Sequence, residues 1–364
     1  MSRIQITNCH IHTFTDQHAP QDFPFRGARH LRRVPRVILA LAWAARLAGQ
    51  EDLADRLHRL YQFQQQGAQG SQDKIFDDVR AQYPGDTRFV ILPMEMRGAG
   101  YGEVPVPLPQ QHDELARMRQ NQTYAGQVLP FATVDPRVPG SIEECLRAIT
   151  ELGFAGLKIY PRLGFAPDHP RLMSEIYPVV AERNLPVLSH CSRGGLQGRQ
   201  IDTYVADTYT RPQAYLPVLR AFPQMRVCLA HFGGLTEWQA FLTGTPTRDG
   251  ENWMVQIRDM LRSGEFENLW TDISYTLFRF DDYAPLLRLM LKGDEDADKR
   301  LRRRVLFGSD FYMTRQEKLS ERAVSIRLRN TLDEDLFRQI AETNPAIWLG
   351  ETAAPDRSLW TPHR

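Results

Sequence analysis

Short apolar runs that end in a polar residue, most of them followed by a helical stretch, recur along most of the chain. Parallel strands need crossovers of about a dozen residues or more, and helices usually supply them. The alternation therefore predicts the α/β class with a parallel sheet. The strands are predicted at residues 4–9, 88–95, 127–134, 154–160, 186–191, 226–231, 268–274 and 304–310. Eight strands with helical crossovers predict a (β/α)8 TIM barrel.

Helical spacing of apolar residues marks several crossovers. The segment Ser141-Ile-Glu-Glu144 has the pattern of a capping box, which predicts a helix from Ser141 to about Leu152. Further helices are predicted over residues 170–183, 253–263, 281–292, 315–329 and 333–342.

Residues 15–87 interrupt the alternation, because they are far longer than an ordinary connection between a strand and a helix. Apolar residues at helical spacing in Val37–Leu47 and Leu53–Phe63 predict an inserted helical hairpin after the first strand, and Gly67–Asp73 predicts a flexible link. We expect the insertion either to overlie or border the C-terminal face of the barrel or to build a dimer contact. Together with it, residues 1–364 are expected to form a single TIM-barrel domain.

The charge balance limits the partners. The chain of 364 residues has 45 Lys+Arg against 44 Asp+Glu, so its net charge of +1 draws it neither to nucleic acid nor to an anionic membrane. The sequence shows no signal-peptide pattern, no apolar run long enough to span a bilayer and no C-x-x-C pair among its four cysteines. We therefore expect a reduced, cytoplasmic protein that acts on a small molecule, with a homo-oligomer left open.

Residues that bind metals lie at the ends of four predicted strands. In a barrel the C-terminal strand ends converge, and active sites form there. Three histidine nitrogens and one carboxylate suit zinc or another divalent metal, with a position left for water or substrate. The alternative is that the histidines of the fifth and sixth strands are core residues and the acid is a turn residue. The residues concerned are His10, His12, His190, His231 and Asp310.

These segments resemble the amidohydrolase superfamily, in particular its amidohydrolase-related (amidohydrolase 2) branch, which includes enzymes similar to aminocarboxymuconate-semialdehyde decarboxylase. The resemblance covers most of the chain outside residues 15–87. The matching segments are NCHIH (8–12), GLKIYP (156–161), LSHCS (188–192), LAHFGG (229–234), DIS (272–274), FGSD (307–310) and NPAIWLG (344–350).

The resemblance implies a role for each strand-end residue. His10 and His12 match the paired metal ligands, His190 the fifth-strand ligand, and Asp310 the acid that binds metal and accepts the proton of the attacking water in hydrolytic members. His231 matches a histidine that acts as acid or base in mononuclear members and binds the second metal in binuclear ones.

The resemblance also bears on the number of metal ions. Lys158 matches a lysine that is carboxylated and bridges two metals in binuclear relatives, but that is often unmodified in this branch. We expect one divalent ion, zinc, with a binuclear site as the alternative. Asp272 is expected to orient a ligand histidine or Lys158 as a carboxylate behind the ligands, or else simply to cap its strand.

Specificity is expected in the loops after the strands, where an arginine can bind a substrate carboxylate through two hydrogen bonds. The alternative is that these charges are solvated loop residues. The candidates for substrate binding are Tyr160, Arg162, Arg193, Glu95 and Arg97.

Taken together, the resemblance predicts a metal-dependent hydrolase that attacks an amide, lactone or ester bond with a metal-activated water. Asp310 would accept a proton, and His231 would supply or remove another. The first alternative is a non-oxidative decarboxylase of an aromatic or unsaturated carboxylic acid. The second is a barrel that binds metal without catalysis.

Overall fold

The structure, a computed structural model, describes residues 3–23, 34–276, 280–317 and 319–353. Within these residues every strand pairing is parallel. The strands, labelled β1 to β9 in order, are Thr7–Ile11, Arg88–Ile91, Val128–Pro130, Ala132–Val134, Leu157–Ile159, Val187–Ser189, Val227–Leu229, Leu269–Asp272 and Val305–Leu306.

These strands close into a barrel of eight. β3 and β4 are one bent strand, because they are separated only by Phe131, whose N–H donates to the carbonyl of Ile91 at 3.0 Å. The ends of the sheet are joined where the N–H of Cys9 donates to the carbonyl of Phe307 at 2.9 Å. The predicted (β/α)8 barrel of the α/β class is therefore confirmed.

The helices lie between and after the strands. Labelled α1 to α15 in order, they are Pro35–Leu47, Glu51–Gly67, Gln72–Arg80, Leu108–Gln120, Ser141–Thr150, Tyr177–Glu182, Thr203–Thr210, Leu216–Ala221, Leu235–Thr243, Trp253–Ser263, Phe280–Lys292, Asp296–Arg302, Glu321–Leu332, Glu334–Arg338 and Asn344–Trp348. None of the helices within the described ranges is both long and apolar enough to cross a membrane.

Two local predictions were wrong. The capping box at α5 does not form, because Gly140 is the N-cap and the Ser141 hydroxyl accepts from the N–H of Asp135 at 3.0 Å instead. The helix predicted from residue 315 begins at Glu321, where the Ser320 hydroxyl accepts from the N–H of Ala323 at 3.2 Å and caps it.

The barrel interior below the strand ends is apolar and closely packed. Gly156 allows this packing, because a Cβ there would lie 2.4 Å from the ring of Phe131. The side chains of this inner core are Cys9, Val90, Leu92, Phe131, Leu188, Cys228, Ala230, Trp270 and Leu306, and it is completed by Ile347 and Trp348 of α15.

The predicted hairpin after the first strand is α1 and α2. Its inner helix, α2, reaches the loop after β9, where the ring of Phe63 lies 5.1 Å from that of Tyr312. The carboxyl end of β9 belongs to the C-terminal face of the barrel, so the insertion borders that face, as the first of the two expectations stated. The link between α2 and α3 is only residues 68–71.

Asn8 ties β1 to the segment after β9. Its amide donates to the Ser309 hydroxyl at 2.9 Å, and its carbonyl oxygen accepts from the N–H groups of Ser309 at 3.1 Å and His10 at 3.2 Å. Asn8 is fully buried, so its loss would remove these hydrogen bonds in a place where water cannot replace them.

We therefore predict that Asn8→Ala lowers the free energy of unfolding by about 2–4 kcal/mol, since several buried polar groups each lose a hydrogen bond. The matched control is Asn121→Ala, because exposed Asn121 accepts one hydrogen bond, from the N–H of Thr123. That control should cost about 1 kcal/mol or less. Equal losses in urea unfolding would contradict the role given to Asn8.

Candidate metal centre

His10 and His12 present one ring nitrogen each to the same point. His10 lies in β1 and His12 directly follows it, so the strand alternation sends both side chains to one side. The Nδ1 atom of His10 is 2.9 Å from Oδ2 of Asp272, and Nδ1 of His12 is 2.7 Å from the carbonyl oxygen of Leu92. Both acceptors require a proton on Nδ1, which leaves Nε2 with a free lone pair.

Asp310 meets these two nitrogens from the other end of the chain. Its Oδ1 lies 3.2 Å from Nε2 of His12 and 3.5 Å from Nε2 of His10. Asp310 has a φ of 62°, a left-handed backbone that only a few per cent of residues other than glycine adopt. Such a conformation at a strand end re-aims the carboxylate, and strained residues of this kind cluster at functional sites.

The three groups fit a divalent cation. Nε2 of His10 is fully buried and has no hydrogen-bond partner among the described residues, which is costly unless a bound group supplies one. Ligand atoms of His10, His12 and Asp310 all lie within 4.8 Å of one another. Two imidazole nitrogens and one carboxylate oxygen are a donor set suited to zinc or a similar metal.

The protonation states also fit. Burial, reinforced by the charge of Lys158, lowers the pKa of His10 to about 3, so its imidazole is neutral at pH 7. Burial opposes the ionisation of Asp310, but the neighbouring His12 and His10 hold the pKa of its carboxyl below its usual range. Neutral imidazole and ionised carboxylate are the forms that bind metals.

Asp272 positions two site histidines. One oxygen faces Nδ1 of His10, and the other accepts from the backbone N–H of His231 at 2.9 Å. Although Asp272 is fully buried, the neighbouring His10 holds the pKa of its carboxyl well below its usual range. His10, His231 and Asp272 form a second group close enough for a metal. Because Nδ1 of His10 is already hydrogen-bonded to Asp272, this group is a hydrogen-bonded support, and the free Nε2 belongs to the first group.

His231 lies beside the candidate metal site, with its ring centroid 5.0 Å from that of His10. Its Nδ1 is 2.9 Å from the Ser274 hydroxyl, and its Nε2 is 3.0 Å from Nδ1 of His190. Burial lowers the pKa of His231, while the carboxylates of Asp310 and Asp272 oppose that shift. A neutral imidazole at this place can accept or donate a proton.

The ring of His190 does not point at the group formed by His10, His12 and Asp310. Besides His231, its ring contacts the carbonyl oxygen of Gly194, 2.8 Å from Nε2, and it stacks on Tyr160 with centroids 4.2 Å apart. Both ring nitrogens therefore have partners, and neither three-residue group within the described ranges includes His190. Its assignment as a metal ligand stays a prediction.

Lys158 is fully buried, and its Nζ has no hydrogen-bond partner among the described residues. Burial lowers its pKa to about 8, and the charges of Asp310 and Asp272 oppose that shift. At pH 7 the amine is therefore mostly an ammonium group. Its role in bridging a second metal, shared with His231, stays a prediction.

The loop arginines predicted to bind substrate already have acidic partners. Arg162 donates to Asp207 at 2.6 Å, and Arg193 donates to Glu237 at 2.7 Å and to Asp207 at 3.2 Å. All four side chains are buried, and a buried charge is stable only when it is paired. These two guanidinium groups therefore hold the loops together in this structure and do not face an open site.

The remaining candidates for substrate binding are also hydrogen-bonded to other groups of the protein. Arg97 donates to both carboxylate oxygens of Glu95, the shortest distance being 2.6 Å. The hydroxyl of Tyr160 accepts from the N–H of Leu196 at 3.0 Å. The contribution of Tyr160 to the site is therefore the ring that packs on His190.

Sequence reasoning missed Ser274. Its hydroxyl lies 3.1 Å from Nδ1 of His10 and 2.9 Å from Nδ1 of His231, and it donates to Asp272. Its spacing in the sequence could have indicated this role, because side chains two positions apart in a strand point to the same side, and Ser274 is two positions after Asp272. The contact that orients His12 could not be predicted, because its acceptor is the backbone carbonyl of Leu92 and does not depend on the side chain.

A comparison with protein families identifies the family of the chain. The Amidohydrolase family model (Amidohydro_2) matches residues 8–350, a range that contains every strand-end residue described above. The chain belongs to the amidohydrolase family. No curated protein matches the chain.

Solved structures of this family share the fold. A 5-carboxyvanillate decarboxylase from Sphingomonas paucimobilis has 13% sequence identity and a TM-score of 0.55, covering 96% of this chain and 99% of that one. A probable 2-pyrone-4,6-dicarboxylic acid hydrolase from Acinetobacter baumannii has 14% identity and a TM-score of 0.56, covering 95% and 100%. A 5-carboxyvanillate decarboxylase from Novosphingobium aromaticivorans, complexed with manganese and 4-hydroxy-3-methoxy-5-nitrobenzoic acid, has 14% identity and a TM-score of 0.55, covering 95% and 96%. At these identities the likeness shows the fold.

The lowered pKa of His10 predicts acid sensitivity of the metal-free protein. Between pH 6.5 and about 3 the unfolded chain protonates His10 and the folded protein does not, so the free energy of unfolding falls as pH falls. Each histidine that stays neutral adds about 1.4 kcal/mol per pH unit to this slope. Urea unfolding in a chelator should show the slope, and His10→Gln should reduce it. An unchanged slope in that variant would show that His10 takes up its proton in the folded state.

Proposed function

We propose that this amidohydrolase family member is a metal-dependent hydrolase of a small organic substrate, cleaving an amide, lactone or ester bond. The observation that carries the proposal is the buried Nε2 of His10, which has no hydrogen-bond partner in the described part of the chain and lies beside Nε2 of His12 and Oδ1 of Asp310. These three residues would hold the ion, which we propose to be a single zinc, with His190 as a further ligand after its ring turns from Gly194. A divalent cation supplies Lewis acidity and makes bound water more acidic.

Asp310 and His231 would carry out the proton transfers. Asp310 is ionised and lies beside the ring nitrogens of His10 and His12 that would hold the ion, so it can accept the proton of an attacking water. His231 is held through its backbone by Asp272 and through its ring by Ser274, and it can pass a proton to the leaving group. The closely packed barrel interior below them keeps bulk water from reaching the site from beneath.

The second candidate is decarboxylation of a carboxylic acid. It is favoured by Lys158, whose buried ammonium has no hydrogen-bond partner among the described residues and could pair with a substrate carboxylate. Two structural relatives bear the name of a decarboxylase of 5-carboxyvanillate, and another that of a hydrolase of a dicarboxylic acid. We rank this candidate second, because Arg162 and Arg193, the arginines predicted to hold such an acid, are paired with Asp207 and Glu237.

A barrel that binds metal without catalysis ranks third. A site with a purely structural metal needs its ligands and nothing more. This one also places a neutral histidine and a buried lysine beside the ligands, where each costs stability.

Product analysis distinguishes these candidates. The purified protein, supplied with zinc or manganese, is incubated in parallel with a panel of lactones, esters and amides and with a panel of aromatic and unsaturated carboxylic acids. The hydrolase proposal predicts new carboxyl groups in the first panel and no carbon dioxide from the second. Carbon dioxide release without hydrolysis would overturn it in favour of decarboxylation, and inactivity of the metal-loaded protein on both panels would favour the non-catalytic barrel.

We predict that His231→Ala keeps its metal but loses at least about 100-fold in turnover, the usual contribution of a positioned acid or base. The matched control is His58→Ala on α2, because His58 is exposed. Turnover and metal content are measured on the same samples. Loss of the metal together with activity in the His231 variant would show that His231 is a ligand.

A further inference from the structure

The outer helix of the insertion, α1, exposes large apolar side chains. Trp43 is 67% exposed and Leu47 is 68% exposed, and they lie four residues apart on one side of the helix together with Leu39. Val37 and Leu41 form a second exposed row beside them. A surface helix ordinarily places polar residues on such a face.

The opposite side of α1 is already covered. Ile38, Ala42 and Ala45 are buried, and they face α2 in the hairpin. Residues 37–45 are all apolar, so the helix is apolar around its whole circumference. A helix of this composition is normally buried on all sides, which indicates that the exposed side also has an occupant.

The charges at the end of α1 do not oppose such an occupant. Arg46, at the carboxyl end of α1, lies 3.4 Å from Asp55 and 3.7 Å from Glu51 on α2. Its charge is balanced within the hairpin, so two copies of the face can approach without repulsion between these arginines. Between Arg36 and Arg46 the sequence has no ionisable residue.

The size of the face suits a protein interface. Its five large apolar side chains, Val37, Leu39, Leu41, Trp43 and Leu47, expose on the order of 500 Å² in total, within the range of the largest apolar patches of monomers. A stable interface of ordinary size buries roughly 800 Å² on each partner. The face would therefore supply most of one half of such an interface.

The pattern of the face is also self-complementary. Ala40 and Ala44 lie between the two rows of large side chains, one that begins with Leu39 and one that ends with Leu41. Both alanines are exposed. Small residues let two helix backbones come close. In an antiparallel pair related by a two-fold axis, Trp43 of each helix can pack over an alanine of the other.

We propose that the exposed face of α1, defined by Val37, Leu39, Leu41, Trp43 and Leu47, pairs with the same face of a second copy of this chain. The pair of hairpins then forms a four-helix contact. Because α2 of the same hairpin packs on Tyr312 near Asp310, dimerisation would also fix the wall that borders the candidate metal centre.

Sedimentation velocity of the full chain at micromolar concentration tests the proposal. The sedimentation of the wild type should correspond to a particle of twice the 41.9 kDa mass of the chain. Trp43→Glu combined with Leu47→Glu should sediment as a monomer, with circular dichroism like that of the wild type, because both side chains are exposed. The matched control, Leu289→Glu on α11, changes a leucine that is 74% exposed outside this face and should remain a dimer.

A second variant reports the contact directly. The four native cysteines are buried, so Ala44→Cys adds an exposed thiol. Mild oxidation should give a disulfide-linked dimer of Ala44→Cys and none of Leu289→Cys. A monomeric wild type would overturn the proposal, as would dimers in the double glutamate variant. A monomeric wild type that also pellets with anionic phosphatidylglycerol vesicles would assign the face to a membrane surface.

Discussion

The hydrogen bonds between the first and last strands are the constraint on which the rest of the structure depends. The N–H of Asp310 donates to the carbonyl of His10 at 2.8 Å. Nearer the start of the same strands, the N–H of Cys9 donates to the carbonyl of Phe307 at 2.9 Å. This seam closes the barrel and sets an acid from one end of the chain against two histidines from the other. Asn8 holds the same seam with its side chain, so the stability of the fold and the geometry of the site rest on one set of bonds.

Buried charges around the site are arranged in two ways. Behind the ligands, Asp272 faces the imidazole of His10 and accepts from the backbone N–H of His231, which keeps the His10 ring oriented and the carboxylate ionised. In the loops, Arg162 and Arg193 share Asp207, which fixes the segments that follow β5 and β6 to one another. These ion pairs join the loops around the candidate site. Two of its buried atoms, Nε2 of His10 and Nζ of Lys158, have no hydrogen-bond partner among the described residues.

Much of the fold and part of the site could be predicted from the sequence. Eight apolar runs with helical crossovers specify the barrel, and its convergent strand ends bring His10, His12 and Asp310 together. The direction of His190 could not be predicted, because the carbonyl of Gly194 in the following loop contacts its ring. The pairing of Arg193 with Glu237 was equally hidden, since the partners are distant in sequence and meet only through the fold. Ser141 was misread because its hydroxyl has a partner outside its own helix.

The central claim is that barrel closure builds one site for a divalent cation from His10, His12 and Asp310. Elemental analysis of freshly purified protein, prepared without chelator, tests it most directly. The account predicts about one zinc or similar ion per chain in the wild type and close to none in Asp310→Ala. About two ions per chain would require Lys158 and His231 as additional ligands. No ion in the wild type, even after zinc and manganese are offered, would contradict the claim.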